Sequence, residues 1–170
     1  MEEKNKVVHG YKSFNIGGTN VAGLVMPVGK YHYDKDIIPT SHGFHFSAGL
    51  EDTLIFTDTD EPLIAEVIGS NNVIKIKNIY PNSGIEYVTS DIEIVRYLTR
   101  DEILNYAFKL DDKRLINFLD RYNLSKDELD IFRMKSENIK SYIDETIKNI
   151  ADVGGTPTNE DIIETSDINV

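Results

Sequence analysis

The residues able to do chemistry in this chain are four histidines and a few isolated carboxylates. His32, His42 and His45 fall close together, and neutral imidazoles at such density bind zinc when their rings converge. His42 and His45 are three residues apart in an alternating, extended stretch, which sends their rings to opposite faces of a strand. No metal site is expected. Glu86 follows Pro81-Asn82-Ser83-Gly84 at a polar junction from loop to strand; a carboxylate there either stabilises developing positive charge or simply faces solvent. Glu66 interrupts the apolar run 63–68 and belongs on an exposed sheet face or opposite Lys75 or Lys77 across a hairpin. Gly17-Gly18-Thr19-Asn20 lacks a following Lys and reads as a turn, not a phosphate cradle. No Ser-His-Asp order, Walker loop, EF-hand loop or HExxH is present, and the chain has no Cys, so thiolate metal sites and disulfides are excluded.

The elements that must hold these groups fall into two regions. Residues 7–98 alternate apolar and polar positions with period two, which predicts strands over 7–14, 21–26, 43–47, 63–69, 73–79 and 91–98. Ser47 is placed to cap a short helix through Leu50, Leu54 and Ile55. Gly69-Ser70-Asn71-Asn72 is a turn signal that predicts a hairpin over 63–79. Lys75 and Lys77 alternate with Ile74 and Ile76 and offer opposite charges to Glu93 on a companion strand.

From residue 99 the period becomes helical. Thr99-Arg100-Asp101-Glu102 and Ser125-Lys126-Asp127-Glu128 are capping boxes, and Leu110-Asp111-Asp112 opens a helix through Leu115, Phe118, Leu119 and Tyr122. After Ser125, the positions Leu129, Phe132, Ile139, Ile143, Ile147 and Ile150 paint one apolar stripe along a helix ending at Gly154. That stripe packs against the shorter helices or the sheet, or else forms a seam for a partner or a second copy.

Composition bounds the function. A chain of 170 residues with 40% hydrophobic side chains supports one core and has no length for two independent ones. A net charge of −11 opposes binding to nucleic acid, whose partners gain affinity by releasing counterions through Lys and Arg. No run approaches the length of a membrane span and no secretory leader is visible, so a reducing, intracellular setting is expected. Asp152, Glu160, Asp161, Glu164 and Asp167 carry five of the net negative charges with no basic residue among them. The segment 153–170 therefore reads as a flexible acidic tail.

Gly10-Tyr11-Lys12-Ser13-Phe14, Val28-Gly29-Lys30-Tyr31, Gly43-Phe44-His45-Phe46, Ile64-Ala65-Glu66-Val67 and Ile92-Glu93-Ile94-Val95-Arg96-Tyr97-Leu98 occur in the order seen in a small uncharacterised domain of phages and large DNA viruses. Over about residues 10–104 the chain resembles that domain, which starts with GYKGF and ends with a strand like KIKIVREL. The resemblance implies a viral or phage origin and an α+β fold, and brings no established activity. A second resemblance is to ADP-ribosyltransferases of the His-Tyr-Glu type, carried by His9-Gly10, by Gly43-Phe44-His45-Phe46-Ser47 and by Glu86-Tyr87-Val88. It implies an NAD site in which Glu86 stabilises the oxocarbenium-like sugar, His9 binds a ribose and Gly10 lets backbone approach the dinucleotide. His45 stands where that family has a stacking Tyr, a role Tyr31 or Tyr33 would take over from a neighbouring loop.

These readings combine into an α+β protein: a mainly antiparallel sheet domain with a short helix over 7–98, a helical extension over 99–152 and the tail over 153–170. The leading expectation is a viral or phage accessory module, in the cytoplasm of an infected host cell or in the virion, that binds a protein partner or its own copy. It uses no cofactor and touches neither nucleic acid nor membrane. Its expected contact residues are Leu129, Phe132, Ile139, Ile143, Ile147 and Ile150. The alternative is an enzyme that uses NAD through Glu86, His9, His45, Gly10 and Tyr31.

Overall fold

The computed structural model describes residues 6–15, 17–20, 23–39, 41–57, 59, 61–77 and 84–152. The expected tail over 153–170 lies outside the described residues, as does the side chain of Ile150. The fold is α+β. Seven antiparallel strands are β1 (Val8–Phe14), β2 (Gly29–His32), β3 (Phe44–Ser47), β4 (Leu63–Ser70), β5 (Ile74–Lys77), β6 (Ile85–Thr89) and β7 (Asp91–Tyr97). A 3-10 turn over Glu51–Phe56 follows β3, and the helices are α1 (Arg100–Ala107), α2 (Asp112–Leu119), α3 (Lys126–Arg133) and α4 (Glu137–Asp152). The chain divides into two compact units, Met1–Ile103 and Leu104–Val170, the boundary falling inside α1.

The sheet runs in the order β2-β7-β4-β1-β3-β6-β5. Tyr31 of β2 and Phe44 of β3 meet edge to face at 6.4 Å, although four strand spacings of ~4.8 Å would separate those strands by about 19 Å in a flat sheet. The sheet therefore curls around its inner face. That face holds the buried cluster of Phe14, Met26, Phe46, Ala65, Val67, Ile92 and Ile94, with Val8, Tyr31, Phe44, Tyr87 and Tyr97 packed against it. The closeness of the packing is set at Gly10 and Gly69, since a Cβ at either would lie within 2.7 Å of the Phe46 ring. The 3-10 turn packs on the outer face, where Ser13 Oγ donates to Thr53 O at 2.6 Å.

The corner that produces the curl replaces the expected hairpin over 63–79. β4 pairs with β7 up to Ser70↔Asp91, and β5 pairs with β6 from Ile74↔Val88. The two strand pairs are thus one bent ribbon, turning at Asn71-Asn72 on one side and Ser90 on the other. Asn71 and Asn72 have φ of 55° and 48°, the left-handed region that Asn tolerates better than most residues. Thr89 Oγ1 pins the corner, lying within hydrogen-bonding range of the carbonyls of Ser70, Asn71 (2.8 Å) and Asp91 (3.1 Å). As a result Lys75 and Lys77 sit opposite Tyr87 and Ile85, while Glu66 pairs with Arg96 and Glu93 with Lys30.

Three further expectations are corrected. Within 21–26 only Val25 makes a β-bridge, to Thr19, because Asn20 accepts from Leu24 N at 2.9 Å and Gly23 turns the chain at φ 77°; residues 21 and 22 lie outside the described set. Ser47 belongs to β3, paired with Tyr11 and Glu86, and Leu50 begins the 3-10 turn with no side-chain cap. The helix expected from Ser125 is two helices. α3 ends at Arg133 with Met134 as its C-cap, and Ser136 Oγ accepts from Ile139 N at 3.1 Å, a second N-cap that starts α4.

Candidate functional site

The residues expected to face NAD share one sheet but not one pocket. Tyr11, Ser47 and Glu86 form a row across β1, β3 and β6 on the outer face. His9 lies two residues to one side of that row, so its Cα is about 12 Å from that of Glu86, and His45 lies to the other side, about 14 Å from His9. Glu86 is 1% exposed. The 3-10 turn packs close to it, with Asp52 Oδ1 accepting from Gly84 N at 3.0 Å. Glu51 and Ser47 are buried as well. His9 is exposed. His45 is half-buried, and burial, then the nearby Lys12 charge, pull its pKa below the usual imidazole value against a hydrogen bond with Gly43. Gly10 is covered by Phe46 and by the carbonyl of Ser47, which a Cβ would approach to 2.4 Å. Tyr31 turns to the inner face and donates to Pro27 O at 2.6 Å. Gly10 and Tyr31 are thus engaged in packing, and the Glu86 carboxylate is buried.

A polar recess of about 290 Å³ lies on the outer face of β4, β7 and β2, lined by Lys30, His32, Ser70, Asn71, Asp91 and Glu93 among others. Its first row is Ser70, Asp91 and His32, one from each strand. Asp91 takes a 2.5 Å contact from His32 Nδ1 and a hydrogen bond from Asn71 Nδ2. Partial burial pushes the Asp91 carboxyl up, yet those two hydrogen bonds and the His32 charge outweigh it and hold it below the usual range. Because Asp91 is the middle member, Ser70 and His32 stand two strand spacings apart, about 10 Å. A hydroxyl activated by imidazole is excluded by that order, since the base must touch the nucleophile. The next rows neutralise themselves, with Lys30 and Glu93 at 3.6 Å and Arg96 holding Glu66 through two 2.9 Å bonds and Glu102 at 2.6 Å. Among the described residues no three His, Asp or Glu are close enough to hold a metal ion.

In the helical unit the described part of the stripe turns mainly inward. Leu129, Phe132, Ile139 and Ile143 are buried, with Ile147 partly so, and Leu129, Ile143 and Ile147 line a narrow apolar notch with Leu119, Tyr142 and Thr146. Tyr142 donates to Asp120 beside it; burial raises both pKa values, and the carboxylate raises that of the phenol further. The apolar side chains that reach solvent are others: Phe108 at 41%, Ile131 at 51% and Met134 at 78% exposure. Ile131 and Met134 stand three residues apart at the end of α3. The Phe108 ring lies 6.0 Å from that of Phe132 and 5.4 Å below Lys135 Nζ, which also donates to Phe108 O at 2.7 Å. Reading α3 and α4 as one helix hides the turn between them that bears Met134; the signal for that turn was Ser136, the N-cap of α4. Among the described residues no helix is long and apolar enough to cross a membrane. No family model, curated protein or solved structure matches the chain.

Proposed function

We propose that the protein is a non-catalytic interaction module, an accessory component of a virus or phage, that acts by binding protein through its helical unit. The observation that carries this reading is the exposure of three large apolar side chains of the helical unit, Phe108, Ile131 and Met134, the last two one turn apart at the end of α3, since large apolar side chains grouped on a surface mark contact sites and Met adapts to varied partners. The order of the motifs from Gly10 to Leu98, which resembles that of the phage and viral domain, supports the proposed origin, with an infected host cell or the virion as the proposed setting. The net charge of −11 disfavours nucleic acid as the partner. An ADP-ribosyltransferase reading asks Glu86 to meet a ribose, and its buried carboxylate weighs against that.

Two measurements test the proposal. Thermal unfolding with millimolar NAD should be unmoved; a clear stabilisation lost in Glu86→Gln would favour the enzyme. Ile131→Asp and Met134→Asp should leave the isolated protein as stable as wild type, within about 0.5 kcal/mol, as for surface positions. A loss of several kcal/mol would make the patch part of the core and remove it as a contact surface.

A further inference from the structure

Asp127 and Ile131 stand four residues apart on one side of α3, and Lys135 follows four residues later in the turn past its end, so an acid, an apolar side chain and a base come in that order along this segment. Asp127 and Ile131 are exposed. Asp127 makes no ion pair among the described residues. Lys135 gives one donor to Phe108 O and keeps two more. Such a stripe is complementary to its own reverse. A second α3 laid antiparallel about a two-fold axis through Ile131 sets Asp127 against Lys135 twice, brings the two Ile131 side chains together and opposes the helix dipoles favourably. Met134, one turn from Ile131, and Phe108 are exposed as well and would supply further apolar cover.

Building on the interaction-module reading, we propose that the occupant of this patch is a second copy of the chain, in a two-fold dimer through α3. A stripe of this size falls short of the ~800 Å² per partner of a standard interface, so the dimer is weak, with a dissociation constant on the order of 10–100 µM.

Sedimentation of the full chain over that concentration range tests it. Wild type should shift from monomer to dimer, and Ile131→Asp should remain monomeric while keeping its circular dichroism. Asp127→Lys and Lys135→Glu should each weaken association by about tenfold or more, through like charges facing across the axis. Mixed together, those two variants should form a heterodimer, because each then meets its opposite. Wild type that stays monomeric, or a mixture that fails to associate, overturns the dimer. The module reading falls separately, if Ile131→Asp unfolds the chain.

Discussion

Lys12 gives the sharpest test of how the sheet is packed. Its side chain points to the inner face, where Nζ donates to His45 O at 2.7 Å and lies 5.7 Å from the centre of the Phe14 ring. No carboxylate pairs with it among the described residues. Burial lowers its pKa from 10.5 to about 8. At about 1.4 kcal/mol per pKa unit, holding the charged form in the fold costs up to about 3 kcal/mol, and residual solvent contact trims that to about 2. Lys12→Met keeps the length and removes the charge, at the expense of a hydrogen bond worth about 1 kcal/mol. The variant should be more stable than wild type by about 1 kcal/mol at pH 7. The sign with pH follows from linkage: between pH 8 and 10.5 the unfolded chain still binds the proton that the folded chain has released, so wild-type stability rises with pH across that window. The gain of the variant should shrink through zero there, and tyrosine ionisation cancels in the comparison. Urea unfolding of both proteins from pH 6 to 10.5 measures it. Two parallel curves would refute the claim that Lys12 is desolvated.

Gly10→Ala would place a methyl 2.4 Å from the Ser47 carbonyl and 2.7 Å from the Phe46 ring; since the carbonyl is backbone, we expect a loss of about 3 kcal/mol in urea unfolding. A neutral result would mean that Gly10 lies open to a ligand after all. Ser136→Ala removes the cap on Ile139 N and the 2.8 Å bond to Asp112, with an expected loss of about 1 kcal/mol. Should thermal unfolding show no change, the break between α3 and α4 has another cause.

Local signals in the sequence carried over to the structure where a few neighbouring residues decide the outcome. Ser125 Oγ accepts from Glu128 N at 3.3 Å while Glu128 Oε2 accepts from Ser125 N at 2.7 Å, the reciprocal box its spacing predicts. The alternation of Phe44, His45 and Phe46 does mark a strand, with Phe46 turned to the core. What escaped depends on contacts distant in sequence. β1 sits between β4 and β3, which no property of residues 8–14 announces. β2 is short and edge-placed, with Lys30 and His32 exposed and only Tyr31 reaching the core cluster. The Asn71-Asn72 turn was legible as a turn, but a turn between diverging strands looks the same in sequence as one closing a hairpin.

The same distinction governs the candidate sites. His9, His45 and Glu86 follow one another in the order of an NAD-binding family, yet proximity in an antiparallel sheet comes from register. Tyr11↔Ser47 and Ser47↔Glu86 put Tyr11, not a histidine, in line with the carboxylate. Moving His9 into that row takes a two-residue slip of β1 against β3. That slip preserves inward and outward faces, so alternation alone does not forbid it. What forbids it is the slot at Gly10 and Gly69 that receives the Phe46 ring, because a slipped β1 would offer that ring a side chain where it now has none. The glycine beside His9, the feature most suggestive of a cofactor, is thereby the residue that fixes the register keeping His9 away from Glu86.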